Sequence, residues 1–285
     1  MKLLTWNIQW GRGADGVVDL DRIVAHARRV ADFDVLCLQE VSAAYPELPG
    51  SDGSDGFAAL AQRLPRHTAL EGVATDTPHP SGARRRFGNM IFSRLPVGPV
   101  FRHLLPWPAD PAVPSMQRIA LEATVITPLG PLRVTTTHLE YYSALQRAAQ
   151  VERLRELHRE ATAHATQTRP GAVDEGPFDR VPRGAPSILA GDFNFKPDAA
   201  ERVRLMSPID ATTPSYRDAW ELLHPGTVHP PTAGVHDKVQ WPGPPFTWDF
   251  VFVSADLAPR VRRLDVDLAS DASDHQPVLL ELDTA

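Results

Sequence analysis

Hydrophobic and polar positions alternate over residues 2–8, with Leu4, Trp6 and Ile8 on one side, the period of a strand. Over residues 20–31 the spacing changes. Ile23, Val24, Ala27, Val30 and Ala31 recur at helical intervals, and Asp19 stands where an N-cap is needed. Residues 34–39 form a short unbroken apolar run, the signature of a strand buried on both faces. The same reading predicts strands at 88–93, 118–127, 131–138, 187–191, 249–253 and 277–282. Residues 144–166 read as the clearest helix. Leu145, Ala148, Val151, Leu154, Leu157, Ala161 and Ala165 make one stripe, and Arg and Glu cover the other face. Segments 42–56, 76–86, 105–115, 169–186 and 224–246, rich in Pro and Gly, read as loops. The 169–186 stretch reads as an insertion, because the strand after it is too apolar to stand outside a core. Leu38-Gln39-Glu40 and Ala190-Gly191-Asp192 each end an apolar strand with a carboxylate. Two such halves facing each other would make a two-layer β sandwich flanked by helices.

Composition narrows the class. With 285 residues, 42% hydrophobic and 22% charged, the chain is neither collagen-like, coiled-coil nor wholly disordered. One domain over residues 1–285 is expected. No apolar stretch approaches the ~20 residues that span a bilayer. The N-terminal residues lack the apolar core and cleavage site of a secretory leader, so a cytoplasmic monomer is the default expectation. The formal net charge is -6, and Lys2, Lys196 and Lys238 are the only lysines. No global basic field draws the chain to nucleic acid or anionic lipid. Cys37 is the single cysteine, set in an apolar run, which predicts a buried thiol and excludes an internal disulfide or a Cys-rich zinc site.

Chemistry gathers at strand ends. Thr5-Trp6-Asn7, Leu38-Gln39-Glu40, Gly191-Asp192-Phe193-Asn194 and Ser273-Asp274-His275 end apolar strands with polar residues. Thr136-Thr137-His138 ends another in a histidine, and Asp249 opens the strand Phe250-Val251-Phe252. A lone strand-end Asp is usually a turn former, and a lone His is usually a core or surface residue. Six such segments in one chain point instead to carboxylates converging at one sheet edge. They repel unless a cation neutralises them. Oxygen ligands with few His and no Cys favour Mg²⁺ or Mn²⁺ over Zn²⁺.

The ordered set Thr5-Trp6-Asn7, Gln39-Glu40, Gly88-Asn89-Met90-Ile91-Phe92-Ser93-Arg94, Thr137-His138-Leu139, Gly191-Asp192-Phe193-Asn194, Trp248-Asp249-Phe250-Val251 and Ser273-Asp274-His275 resembles the endonuclease/exonuclease/phosphatase superfamily. The match runs from Leu4 to near the C-terminus. The resemblance implies an α/β fold, a four-layer α/β sandwich of two stacked mixed sheets flanked by helices, with a divalent cation at one end. It implies that Glu40 is the main metal ligand with Asn7 beside it, and that Asp274 lies near that metal or a second one. It implies that Asp192 and Asn194 orient water and phosphate. His275 contacts the phosphate or serves as general base, Asp249 fixes its tautomer, and His138 is a second histidine in the site. Asn89, Arg118, Tyr141 and Trp107 are further candidates for substrate contact.

Weaker features carry two readings each. Arg84-Arg85-Arg86 is a phosphate clamp or, better, a solvated charge run. Arg118 points at the site or pairs with an acid. Leu104, Leu105, Trp107, Val113 and Met116 form an apolar segment that meets a lipid or a base, or packs on the sandwich edge. Tyr141 and Tyr142 follow His138 and suit a cleft wall. His224, His229 and His236 share a loop, but their spacing matches no zinc pattern. Three functions compete: a metal-dependent phosphodiesterase or phosphatase on a small or lipid-linked phosphate, a nuclease on DNA or RNA, and a non-catalytic binding domain. The negative charge and the apolar segment around Trp107 favour the first. Nucleic acid remains permitted as a partner, and the filled site positions disfavour the third.

Overall fold

Two mixed sheets of six strands each stack face to face in a computed structural model that describes residues 1–166, 176 and 182–284. In chain order the elements are β1 (Lys2–Asn7), α1 (Leu20–Val30), β2 (Val35–Ala43), α2 (Gly56–Arg63), β3 (Thr68–Pro78), β4 (Arg84–Ser93), β5 (Val97–Leu104), β6 (Ile119–Thr127), β7 (Gly130–His138), α3 (Ala144–Thr166), β8 (Ser187–Asp192), α4 (Ala200–Met206), β9 (Tyr216–Asp218), α5 (Ala219–Leu223), β10 (Asp249–Ser254), β11 (Val261–Val266) and β12 (Val278–Leu282). The first sheet runs β11-β12-β1-β2-β4-β3 and the second β5-β6-β7-β8-β10-β9. Each has one parallel pair at its centre, β1 with β2 and β7 with β8, and each pair is joined through a helix.

The expected α/β sandwich is therefore present, and its layers follow from strand alternation. Leu3, Val35, Cys37 and Ile91 point inward and meet Val134, Ile188, Ala190 and Val251 of the other sheet. Leu4, Trp6 and Ile8 point outward, as their alternation predicts, and pack under Ile23, Val24 and Ala27 of α1 and Phe57 and Leu60 of α2. Asp19 caps α1 by accepting from the Asp21 and Arg22 amides. A third cluster joins Leu189, Phe250 and Phe252 to Val151, Leu154 and Leu157 of α3. Cys37 is fully buried. No helix among the described residues is long and apolar enough to cross a membrane.

Several expectations need correction. Segment 76–86 is not a loop throughout: β3 and β4 form a hairpin whose turn covers only residues 79–83. Strands β3, β5, β9 and β11 and helices α2, α4 and α5 were absent from the pattern reading. The edge strands β3 and β5 carry half-exposed or polar residues and give little apolar signal. The stripe on α3 holds only in its middle. Leu145 and Ala148 are exposed, while Gln146 and Gln150 are buried. Gln146 donates to the Pro108 carbonyl at 2.8 Å, and Gln150 accepts from the Glu140 amide at 2.8 Å. The first turns of α3 thus hold loop backbone, which needs polar side chains. Of the 169–186 insertion, residues 169–175 and 177–181 lie outside the described residues, and 182–186 carry no helix or strand.

Candidate active site

Topology brings the strand-end residues together. Parallel pairing puts Asn7, the end of β1, beside Gln39 of β2, which runs on past the expected stop at residue 39 to Ala43. It also sets the ends of β7 and β8 side by side, with His138 opposite Asp192. Because β10 runs antiparallel to β8, its first residue Asp249 also lies opposite Asp192. Because β12 runs antiparallel to β1, the Asp274-His275 segment before it returns to the end of β1. One cleft of about 710 Å³ receives Glu40, His138, Asp192, Asn194, Asp274 and His275.

Local backbone departures aim these groups. Between Leu38 and Val41 the β2–β4 register slips by one residue, and Glu40 adopts φ +59°. This bulge turns the Glu40 carboxylate into the cleft. Asn194 (φ +50°), Gln9 (φ +43°) and Trp10 (φ +47°) share the left-handed region and also line the cleft. Gly191 has φ +142°, and a Cβ there would lie 2.0 Å from the Thr137 carbonyl oxygen. Only glycine lets β7 and β8 approach this closely.

The Asn7 amide joins two carboxylates. Its Nδ2 donates to Glu40 Oε1 and to Asp192 Oδ2, both at 3.0 Å, while its Oδ1 accepts from the Gln9 amide at 3.1 Å. The Gln9 donor fixes which side of the amide faces the acids. Burial pushes the Glu40 carboxyl up, and the charge of Asp274 adds to it. Asp192 is pushed up to about 7, chiefly by burial, with His275 opposing and Asp249 reinforcing the shift. Asp274 Oδ2 accepts from Gln9 Nε2, Gln240 Nε2 and Trp241 Nε1 at 3.2, 3.1 and 2.9 Å.

His275 lies 2.7 Å through Nδ1 from Asp249 Oδ2, which also accepts from Thr232 Oγ1 at 2.7 Å. Its Nε2 faces Asp192 Oδ2 at 3.7 Å. Burial opposes its protonation, but the Asp249, Asp274 and Asp192 carboxylates outweigh that and hold the imidazole well above its ordinary pKa. His138 is the opposite case. Burial, with Arg118 and His275 nearby, holds it well below. Its Nε2 faces the Asn194 amide nitrogen at 2.9 Å, and that nitrogen also donates to the Leu139 carbonyl. Nε2 therefore accepts, the proton sits on Nδ1, and Nδ1 has no hydrogen-bond partner, with Glu40 Oε1 3.8 Å away. Asp192, Asp249 and His275 form a cluster that could hold a metal ion.

The outer candidates separate. Trp107, Arg118 and Tyr141 line the cleft; Asn89 does not, and its amide turns to the Ile119 carbonyl at 3.3 Å. Arg118 is buried and pairs with buried Glu140 at 3.1 Å, leaving Nη1 without a partner. Leu105 packs in the core, whereas Leu104 and Trp107 are exposed. Arg84, Arg85 and Arg86 pair with Asp76, Glu47, and Asp55 and Glu71, so the triplet is a neutralised charge run. The three loop histidines do not meet. His224 lies on Trp220, His229 pairs with Asp218, and His236 faces the Leu268 carbonyl. Pattern reading missed Gln9, Trp10, Tyr45, Phe87, Gln240 and Trp241 as cleft residues. All but Phe87, which lies in β4 just before the segment predicted as a strand, come from turns and loops, where no periodicity marks an inward face.

The sequence model of the Endonuclease/Exonuclease/phosphatase family matches residues 4–275. No curated protein matches the chain. Among solved structures, an endonuclease/exonuclease/phosphatase from Beutenbergia cavernae is 26% identical, with 98% of this chain and 70% of that one covered and a TM-score of 0.64. One from Bacteroides vulgatus is 18% identical over 99% and 98%, with a TM-score of 0.67. The Bacteroides thetaiotaomicron mannosyl-6-phosphatase is 16% identical over 99% and 99%, with a TM-score of 0.63. The last two likenesses are of fold alone. With the motifs in order and the strand ends converging as described, the chain belongs to the endonuclease/exonuclease/phosphatase family.

Proposed function

We propose that the chain is a Mg²⁺- or Mn²⁺-dependent hydrolase of phosphoesters, a phosphodiesterase or phosphatase acting on a small or lipid-linked phosphate. One observation carries the choice of substrate. Among the described residues lining the cleft, Arg118 is the sole Lys or Arg, and apolar surface makes most of the wall. A duplex binder neutralises several phosphates at once and needs clustered cations around its cleft. The nearest cluster, Arg84 to Arg86, is already paired.

The donor set fits a hard cation. Glu40 and Asp274 face one cleft, and the charge of Asp274 raises the proton affinity of Glu40, a repulsion that a bound cation relieves. Asp249 and His275 are spent on each other, so the two oxygen donors are the better site. When bound, such a cation neutralises charge on the phosphoryl oxygens. Asn7 holds Glu40 and Asp192 in register. Asp192, near neutrality in its proton affinity, takes the proton of the attacking water, and the Asn194 amide orients it from Oδ1 at 2.9 Å. His275, fixed by Asp249, donates from Nε2 to a phosphoryl oxygen. The free Nδ1–H of His138 and the unpartnered Nη1 of Arg118 supply two further donors to the developing charge.

The test is hydrolysis of bis-p-nitrophenyl phosphate, p-nitrophenyl phosphate, sphingomyelin and plasmid DNA with Mg²⁺ and with Mn²⁺, by the chain and by Glu40→Gln. Cation-dependent turnover of the small or lipid esters, lost in Glu40→Gln, is expected. Preferential plasmid nicking that the same substitution abolishes would replace this reading with a nuclease.

A further inference from the structure

A row of rings starts beside the candidate catalytic histidine. Trp248 lies 6.2 Å from the His275 ring. Tyr141 meets Trp248 at 5.4 Å and 67°, and Tyr142 meets Tyr141 at 4.6 Å and 82°. On its other side Trp248 meets Trp241 at 5.3 Å and 88°. Phe246 backs Trp248 at 4.2 Å. Tyr142, Tyr141, Trp248 and Trp241 meet in turn at 82°, 67° and 88° and form corners, with Phe246 tilted 52° against Trp248. Four of the five line the cleft; Phe246 stands behind.

Two indole N–H groups of the cleft are already engaged. That of Trp241 donates to Asp274 at 2.9 Å, and that of Trp107 donates to Ser115 at 2.9 Å. These two indoles therefore offer a ligand their ring surface. Charge excludes other occupants. The cleft's one Arg pairs with Glu140 and offers its Nη1 to the phosphoryl group, so a second anionic group finds no further Lys or Arg among the described lining residues. The acids are committed too. Asp274 Oδ2 accepts three hydrogen bonds, Asp76 pairs with Arg84 at 2.7 Å, and Asn7 bridges Glu40 and Asp192. Glu40 and Asp274 would be taken by the metal cation, so an organic cation would have to compete with it for its partners there.

We propose that this row receives a planar ring carried by one arm of the phosphoester, so that the preferred substrates join a single phosphoryl group to an aryl or nucleoside group. The proposal rests on the hydrolase reading for the phosphoryl end alone. Flat faces at fixed angles favour a rigid ring over a flexible chain, which pays rotamer entropy to lie against them.

The test is calorimetric binding, in Mg²⁺, of non-hydrolysable phosphonates bearing a phenyl, thymidinyl, n-hexyl or trimethylammonioethyl group. The two ring compounds are expected to bind roughly tenfold tighter than the hexyl compound, the size of a stacking contact. Their mutual ratio distinguishes an aryl from a nucleoside source. The double substitution of Tyr141→Ala with Trp248→Ala should bring the ring-to-hexyl ratio to about one. Tyr142→Ala, at the exposed end, should lower it in part and serves if the double variant does not fold. Equal binding of ring and hexyl, tightest binding of the ammonium compound, or no binding by any would overturn the proposal. Ring-selective binding by a chain that hydrolyses none of the matching esters would uphold it and sink the hydrolase reading. Hydrolysis without ring preference would do the reverse.

Discussion

Asp249→Asn isolates the pair that orients His275. The substitution changes one atom of a side chain that is almost wholly buried, and it removes the charge facing Nδ1 at 2.7 Å. A buried, charge-assisted hydrogen bond of this length contributes roughly 1.5–3 kcal/mol. At about 1.4 kcal/mol per decade, loss of that orientation alone costs roughly 10- to 100-fold in rate. If the new amide turns its NH₂ toward His275, Nδ1 must accept, and the proton moves to the wrong nitrogen for the proposed geometry. The loss then rises toward the roughly 10²–10⁴ typical of removing an acid–base group. Thr232 Oγ1, which donates to the same Oδ2, still accepts from the Trp248 and Asp249 amides, so the local backbone keeps its anchor. The assay is kcat and KM on bis-p-nitrophenyl phosphate, with a melting curve beside it. Turnover is expected to drop by roughly 100-fold or more, with Tm within a few degrees of the parent. Full activity in Asp249→Asn would show that Asp249 and His275 do not work as a unit.

Four more outcomes follow from the same geometry. Glu40→Gln should abolish Mn²⁺ binding in calorimetry along with turnover; unchanged affinity would remove Glu40 from the metal site. Gly191→Ala places a Cβ 2.0 Å from the Thr137 carbonyl at a φ of +142°, and should cost roughly 3 kcal/mol or more, a Tm drop of about 5–10 °C. His158 is buried between Arg133 and Pro214, and its pKa falls to about 4. The unfolded chain binds that proton first as pH falls below about 6.5, so stability is lost between there and pH 4. Lowering pH from 7 to 4.5 should cost about 2 kcal/mol through this residue, a slope that denaturant titrations should find reduced in His158→Gln. Excess duplex DNA at low salt should barely inhibit hydrolysis of a small diester; strong inhibition would count against the reading of the cleft wall.

The central strands were legible because their burial writes itself into the sequence. Val35 to Leu38 and Ser187 to Ala190 are buried throughout, and their apolar runs admit no other reading. The catalytic candidates were legible for a related reason: each stands where an apolar run stops, at a strand end or, for Glu40, at a bulge beyond which β2 continues to Ala43. The edges were not. Strands β3 and β11 alternate weakly because one neighbour is solvent. The first turns of α3 were misjudged because Gln146 and Gln150 are buried for their amides, not their carbons. Trp10, Tyr45 and Trp241 face the cleft from turns, where side-chain direction is set by single φ and ψ values rather than by a period.

The two halves explain why the site lies where it does. Each sheet places a strand, a helix and a second, parallel strand at its centre, with antiparallel strands outside. In this correspondence β2 matches β8, so Glu40, at the bulge of β2, and Asp192, at the end of β8, stand at one rim from opposed sheets. Stacking the sheets brings like charges to one rim, an arrangement that costs stability unless something bridges them. Asn7 does so within the chain, its one NH₂ group giving one N–H to each acid. The left-handed residues Gln9, Glu40 and Asn194 gather at that same rim, each costing of order 1–3 kcal/mol. Repulsion and backbone strain are thus confined to a few residues around one cleft, while the three apolar clusters that hold the layers carry neither. A fold optimised only for stability would relax this rim, whereas one that neutralises phosphoryl charge requires the carboxylates to be held there before the ligand arrives.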